Sequence, residues 1–110
     1  LQHDAQARGV AIAHASNVRT IIGQADAIYM TRVQKERIPY DMLGGVSWGN
    51  YRLTRDLLED APAHLRILHP LPRVDELTTD VDASVHAAYF KQAAAGVPVR
   101  QSLLLELLGG

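Results

Sequence analysis

The sequence predicts an α/β fold in which a parallel sheet of about three strands is flanked by about five helices. The prediction rests on three short apolar runs that read as buried strands: Val10–Ala13, Ala25–Thr31 and Leu65–Leu68. Strands that alternate with helices in units of this length favour parallel pairing with right-handed crossover connections. In open sheets of this kind, ligands bind beyond the carboxyl ends of the strands.

Residues with the apolar spacing of amphipathic helices lie between and after these runs. A first helix is predicted to end at Gly9, and Ser16 or Asn17 is predicted to cap a second one. Three later helices share this spacing, and the last two are separated by a predicted break at Gly96–Pro98: Tyr51–Asp60, Val85–Ala95 and Val97–Leu108. Residues 40–50 are rich in glycine, which predicts a mobile loop.

The composition bounds the class of protein. The chain has 110 residues, a net charge of −1 and no cysteine, which fits a single domain without a disulfide frame. No apolar run approaches the roughly 20 residues that span a bilayer, and no secretory signal opens the chain, so we expect a cytoplasmic protein with no membrane partner. No basic stripe is present, which argues against nucleic acid as a partner.

A metal site is also disfavoured. The five histidines have no pair at the i, i+4 spacing of helical metal ligands: His3, His14, His64, His69 and His86. Cysteine ligands are absent from the sequence. The sequence therefore predicts neither a metal nor any other cofactor.

The segment after the second predicted strand carries a cationic and an amide side chain two residues apart. Arg32 offers a fixed fork of donors and a permanent charge that match a carboxylate bidentately. Gln34 adds a neutral donor and acceptor. This pair suits an amino acid or dicarboxylate ligand, and the alternative is an ordinary charged surface loop.

The third predicted strand ends at His69 and runs into two prolines that flank a single leucine. Pro70 and Pro72 fix their own φ angles, lack N–H groups and push the preceding residues toward extended conformations. Such a rigid segment is poor in donors and can accept hydrogen bonds from an N–H₂ group without reorganising. The alternative is a strand terminator followed by a turn, in which His69 is simply a strand-end residue.

Three segments together resemble one family. Tyr29–Arg37, which reads YMTRVQKER, and His69–Glu76, which reads HPLPRVDE, resemble the two signature segments of the aspartate carbamoyltransferase catalytic chain. Ala87–Leu104, which reads AAYFKQAAAGVPVRQSLL, resembles its closing segment. The ornithine-specific relatives usually carry cysteine at the position of Pro70, so the aspartate branch is favoured.

The resemblance implies a three-layer Rossmann-like sheet that forms an incomplete half of a two-domain carbamoyltransferase fold. Residues 1–96 would be part of the L-aspartate-binding α/β domain. Residues 97–110 would be the C-terminal helix that packs on the carbamoyl-phosphate domain, which is absent here together with its phosphate-binding loop. The first strand and helix of the aspartate domain are expected to be absent as well.

The resemblance also implies the substrate contacts. The family converts carbamoyl phosphate and L-aspartate to N-carbamoyl-L-aspartate and phosphate, a step of pyrimidine biosynthesis. Arg32 and Gln34 would bind the L-aspartate carboxylates. Pro70 and Leu71, with Pro72 close by, would offer backbone carbonyls to the amino group of carbamoyl phosphate.

Supporting roles follow from the same resemblance. Glu36 would steady Arg32, Arg37 would pair with the other domain on closure, and Arg100 would lie near the site. No catalytic residue is expected within the segment, so the 110-residue chain alone is predicted to be inactive. The alternative hypothesis is a non-catalytic remnant that acts as a ligand-binding or assembly module.

The predicted last helix suggests further partners. Its apolar stripe, which contains Leu103, Leu104, Leu107 and Leu108, needs a cover in the absence of the second domain. We therefore expect a homo-oligomer (the family forms trimers) or a partner chain, with a regulatory chain as a further possibility.

Overall fold

The computed structural model describes residues 2–32 and 48–109. An N-terminal helix, Gln2–Ala7, is followed by two strands, β1 (Ala27–Tyr29) and β2 (Arg66–Leu68), and a long C-terminal helix, Tyr89–Leu107. Short 3₁₀ helices lie between these elements: Val18–Thr20, Ile22–Gln24, Trp48–Tyr51, Arg55–Asp60 and Thr79–Ala83. The predicted α/β architecture is confirmed.

The two strands pair in parallel, as predicted. Ile28 lies opposite Ile67, and Tyr29 lies opposite Leu68. The Met30 N–H donates to the Leu68 carbonyl oxygen at 2.9 Å, which extends the pairing beyond the end of β1. Since paired parallel strands end at the same edge, the segments that leave β1 and β2 emerge side by side.

The strand predicted at Val10–Ala13 is not formed. Val10 and Ile12 are 54% and 40% exposed, and this run has no regular secondary structure. β2 instead meets a different neighbour, because the Ile67 N–H donates to the His86 carbonyl at 2.8 Å and the Ala88 N–H to the Ile67 carbonyl at 3.0 Å. Among the described residues no strand pairs with Val10–Ala13, and an unpaired strand would leave its backbone N–H and C=O groups without partners.

The helices predicted after Ser16 and over Tyr51–Asp60 are replaced by 3₁₀ turns. Asn17 does act as a cap, since its side chain accepts the Arg19 N–H at 2.9 Å. Leu53 interrupts the second segment because its N–H donates to the Glu76 carbonyl at 2.8 Å and its own carbonyl accepts the Thr78 N–H at 3.1 Å. These bonds draw Leu53 into an isolated bridge with Leu77.

The predicted helix break at Gly96–Pro98 is wrong. One helix runs from Tyr89 to Leu107 with Pro98 inside it, and it begins four residues later than the predicted Val85. Tyr89 is fully buried, whereas every described residue from Val97 onward is exposed. Within residues 2–32 and 48–109, no helix combines the length and apolar character needed to cross a bilayer.

The core lies around the two strands and the start of the C-terminal helix. Its members are buried apolar side chains: Ile22, Ile28, Met30, Leu53, Leu57, Leu58, Leu65, Ile67, Leu77, Val81 and Tyr89. The 3₁₀ segments contribute through Ile22, Leu57 and Leu58, so they pack as the predicted helices would have done. Val18 and Leu71 pack against the edge of this cluster.

Ile67→Ala tests whether β2 is the centre of this core. Ile67 has 0% exposure, so we expect the free energy of unfolding to fall by about 2–5 kcal/mol. Leu105→Ala is the matched control, because Leu105 is 59% exposed and its loss should change stability by less than about 0.5 kcal/mol. Urea unfolding followed by circular dichroism measures both; equal losses would contradict the assignment of the core.

Candidate functional site

The candidate site is the edge of the sheet where β1 and β2 end. Met30, Thr31 and Arg32 leave β1 there, and His69 to Pro72 leave β2 beside them. Arg32 is exposed at this edge. The hydroxyls of Thr31 and Tyr51 lie 3.3 Å apart, which joins the end of β1 to the 3₁₀ helix Trp48–Tyr51. The structure therefore brings the two predicted strand exits together.

Three of the predicted site residues, Gln34, Glu36 and Arg37, lie outside the described residues, as does most of the loop predicted at 40–50. Arg100 is exposed on the C-terminal helix, two turns beyond Gln92. Its guanidinium folds back along its own helix, where a Cβ on Gly96 would lie 2.8 Å from the Arg100 Nη1.

The exit of β2 is anchored by a buried histidine. His69 has 0% exposure, and its backbone N–H donates to Gln92 Oε1 at 3.2 Å. Its ring bonds on both sides: the Leu71 N–H donates to Nδ1 at 2.8 Å, and Nε2 lies 2.7 Å from Glu76 Oε1. His69 is therefore more than a strand-end residue, because it ties β2, the Pro-Leu-Pro segment and the C-terminal helix together.

These contacts fix the proton on the His69 ring. A backbone N–H can only donate, so Nδ1 must accept from Leu71 and carries no proton. In the neutral imidazole the proton then sits on Nε2, which donates it to the Glu76 carboxylate. Each ring nitrogen has one fitting partner.

Glu76 is a buried carboxylate that the fold keeps ionised. Burial by itself raises the pKa of Glu76, but hydrogen bonds from its own backbone N–H, from His69 and from the Val74 N–H outweigh it and leave the pKa below its ordinary value. Val74 N–H lies 3.3 Å from both carboxylate oxygens. A buried charge is tolerated because each carboxylate oxygen has a donor.

The Pro-Leu-Pro segment has an unusual backbone. Leu71 has a φ of 51°, in the left-handed region that residues with a Cβ seldom occupy, so the extended conformation predicted for this residue before Pro72 is wrong. The Leu71–Pro72 peptide bond is cis. Such a φ in a residue other than glycine costs of order 1–2 kcal/mol and persists only where the surroundings hold it. The bond from the Leu71 N–H to His69 Nδ1 and the packing of Leu71 against the core hold it.

A second polar cluster supports the far side of this segment. Arg73 forms a two-pronged ion pair with Asp82, in which Nη2 lies 2.6 Å from Oδ2, and the Tyr89 hydroxyl donates to the same carboxylate. The Arg73 guanidinium also lies 5.8 Å from the ring centres of Tyr89 and Phe90. The segment is thus clamped to the first turn of the C-terminal helix.

The ionisation of this cluster follows from its contacts. Hydrogen bonds from Arg73 lower the pKa of Asp82 against the opposing effect of burial. Burial, which has the larger effect, and the Asp82 carboxylate together raise the pKa of Tyr89 to about 12. The Asp82 contacts also raise the pKa of Arg73, so the pair stays charged across the physiological range.

Sequence reasoning missed the residues that stand behind the edge. Arg73, Glu76, Asp82 and Tyr89 were not among the predicted site residues. One usable signal was present: His69 continues the apolar run of β2, and a carboxylate follows it beyond the two prolines. A polar residue inside a buried run needs a partner, and the adjacent acids Asp75 and Glu76 were the nearest candidates downstream; the structure uses Glu76.

A model of the family described as aspartate/ornithine carbamoyltransferase, Asp/Orn binding domain, matches residues 1–107. The chain belongs to this family. The catalytic subunit of the Pyrobaculum neutrophilum aspartate carbamoyltransferase is 48% identical over 103 residues, which are 94% of this chain and 34% of that subunit. The chain thus spans about a third of the length of the curated relatives it matches.

Solved aspartate transcarbamoylases share the fold of this Asp/Orn-binding domain. The M. jannaschii catalytic subunit superposes with a TM-score of 0.84 at 35% identity, over 98% of this chain and 36% of that chain. The Trypanosoma cruzi enzyme, solved in complex with carbamoyl phosphate and aspartate, gives a TM-score of 0.81 at 33% identity, over 94% and 34%. The fold predicted from the resemblance is confirmed.

Asp82→Asn tests the clamp on the Pro-Leu-Pro segment of this domain. We expect a loss of about 2 kcal/mol near neutral pH, since charge-assisted hydrogen bonds from Arg73 are weakened. Because the pKa of Asp82 is lowered, its stabilisation is complete above its ordinary value of 3.8 and disappears as the pH falls through the folded value. The gap between variant and parent should therefore close in acid.

Asp56→Asn is the matched control for this prediction. Asp56 pairs with Arg19 at 3.1 Å, but both side chains are more than half exposed, so the effect should be clearly smaller. Urea unfolding at about pH 7 and about pH 3 measures both variants. An Asp82 effect no larger than the Asp56 effect, or one that is undiminished at about pH 3, would refute the proposed clamp.

Proposed function

We propose that this chain supplies the L-aspartate-binding side of an aspartate carbamoyltransferase, which makes N-carbamoyl-L-aspartate and phosphate from L-aspartate and carbamoyl phosphate. The observation that carries the proposal is the parallel register of β1 and β2, which sets Arg32 and the Pro70–Leu71 carbonyls on one edge of the sheet. Relatives that carry this domain are named aspartate carbamoyltransferase catalytic subunits.

Arg32 binds a carboxylate of L-aspartate in this proposal. It is exposed at the carboxyl end of β1, where a ligand has access, and its guanidinium gives two parallel hydrogen bonds in a fixed geometry. Gln34 assists from the following segment, and Glu36 orients Arg32. These two roles rest on the family resemblance.

The Pro70–Leu71 segment binds the amino group of carbamoyl phosphate through backbone carbonyl oxygens, with Pro72 completing the rigid turn. Bound in this way, the carbamoyl carbon faces the L-aspartate amine. The amine nitrogen forms a bond to that carbon, the carbon–oxygen bond to phosphate breaks, and the amine loses a proton. The chemistry is positioning and charge stabilisation, so the phosphate needs a cationic cradle from another part of the enzyme.

The remaining predicted residues and partners complete the assembly. Arg37 and Arg100 act in closure against the carbamoyl-phosphate domain, and residues 97–110 contact that domain. Four leucines of the C-terminal helix are each more than half exposed, which supports a partner surface that covers them: Leu103, Leu104, Leu107 and Leu108. Copies of the chain assemble as a homo-oligomer, with a regulatory chain as an additional partner, in the cytoplasm.

Arg32→Ala tests the proposed carboxylate contact. The assay protein is the Pyrobaculum neutrophilum catalytic subunit in which this chain replaces the matching third, and steady-state formation of N-carbamoyl-L-aspartate is measured. We expect the graft to be active and Arg32→Ala to lower kcat/KM for L-aspartate about 100-fold, because a two-pronged charge-assisted contact is lost.

Arg66→Ala is the matched control, since Arg66 is an exposed arginine at the amino end of β2, on the opposite edge. It should leave the kinetics of the graft unchanged. A folded but inactive graft, or equal losses in both variants, would refute the proposed function.

The 110-residue chain by itself is expected to form no N-carbamoyl-L-aspartate, because the cradle for the leaving phosphate lies elsewhere. Calorimetry on the chain compares L-aspartate with a bisubstrate phosphonate. We expect the phosphonate to bind no more tightly than its aspartate portion. Two results would contradict a phosphate cradle outside this chain. One is product formation by the chain that Arg32→Ala abolishes, and the other is much tighter binding of the phosphonate than of its aspartate portion.

A further inference from the structure

We propose that His69 is a positioning residue that makes the exit of β2 an edge of acceptors only, and thereby selects the N–H₂ group of the carbamoyl donor over a methyl or an anionic oxygen. This inference rests on the proposed function. It concerns a side chain that is fully buried and does not touch the substrate.

Both backbone N–H groups of the segment His69 to Pro72 are engaged within the protein. The four residues His69 to Pro72 contain only two backbone N–H groups, because both prolines lack one. The His69 N–H is taken by Gln92 at 3.2 Å, and the Leu71 N–H is taken by the His69 ring at 2.8 Å. Both donors are engaged inside the protein, and the remaining backbone polar groups of this segment are carbonyl oxygens.

The tautomer of the His69 ring keeps the Leu71 N–H engaged. Nδ1 can accept the Leu71 N–H only while the proton resides on Nε2, and the Glu76 carboxylate 2.7 Å away stabilises that proton there. The opposite tautomer would set two N–H groups against each other at Nδ1 and leave the carboxylate facing a lone pair. Glu76 also accepts the Val74 N–H, so the same carboxylate holds the chain on the far side of the prolines.

An edge that offers only acceptors distinguishes ligands by the donors they carry. A bound carbamoyl group can donate from its N–H₂ to these carbonyls. An acetyl group of the same shape cannot, and it would cover these acceptors while leaving them without partners. If the Leu71 N–H lost its bond to His69, a donor would lie among the acceptors. The preference for a carbamoyl group over an acetyl group would then weaken.

Two substitutions separate the two sides of the ring. In His69→Gln the amide nitrogen can replace Nε2 toward Glu76, but nothing replaces Nδ1 as the acceptor for Leu71. In His69→Asn the amide oxygen can replace Nδ1, but the donor toward Glu76 is lost. Both are placed in the active graft described above, with carbamoyl phosphate as substrate and acetyl phosphate as a competitive inhibitor.

We expect His69→Gln to raise KM for carbamoyl phosphate about 10-fold. The inhibition constant of acetyl phosphate, which has no N–H₂, should change less than about 2-fold, and so should KM for L-aspartate. His69→Asn should recover most of the carbamoyl phosphate affinity. His64→Gln is the control, because His64 is an exposed histidine 2.8 Å from Asp26 at the amino edge of the sheet.

Equal weakening of carbamoyl phosphate and acetyl phosphate would overturn the inference, because that is the result of general damage. An unchanged KM in His69→Gln, or a His69→Asn variant as poor as His69→Gln, would do the same. If either variant fails to fold, the tautomer of ¹⁵N-labelled histidine in the unsubstituted graft decides: a protonated Nδ1 refutes it. An inactive graft would instead count against the proposed function.

Discussion

The parallel pairing of β1 with β2 is the constraint on which the rest of the structure depends. Ile28 and Ile67 lie opposite each other, and Ile67 is fully buried between β1 and the bridge at Ala87. A slip of one residue would turn Ile28 toward solvent and Tyr29 into the core, so burial specifies the register. Because the register is specified, Arg32 and the Pro-Leu-Pro segment leave the sheet at the same edge.

The residues behind this edge explain how a short, proline-interrupted segment keeps a single conformation. His69 and Glu76 are buried polar groups, and each ring nitrogen and carboxylate oxygen has a partner. In a low dielectric, a satisfied network of this kind is rigid, whereas an incomplete one would be costly. The Arg73–Asp82–Tyr89 contacts add a second attachment to the C-terminal helix. The proposed site is therefore preorganised by polar contacts as well as by apolar packing.

The agreement between sequence and structure was best where chemistry was local. The cap at Asn17 and the donor-poor segment at Pro70–Pro72 were predicted because each depends on its immediate neighbours. The strands around Ile28 and Ile67 were predicted from apolar runs, and each has the other as its pairing partner. The prediction of a strand at Val10–Ala13 was wrong, because a strand needs a pairing partner and the local pattern does not reveal one. The prediction of a helix over Tyr51–Asp60 was wrong because the backbone of Leu53 bonds to Glu76 and Thr78, which are distant in sequence. Pro98 is tolerated in a helix whose other backbone bonds continue on both sides of it.

By itself, the sequence determined the α/β class, the two strand exits, the family resemblance and the identity of Arg32, Pro70 and Leu71 as candidate site residues. Only the tertiary structure decided that His69 is buried, that its proton lies on Nε2, and that Glu76 and Gln92 are its partners. The physical reason is that propensity and spacing act along the chain. A hydrogen bond between side chains depends instead on which residues the sheet and the C-terminal helix bring within about 3 Å of each other.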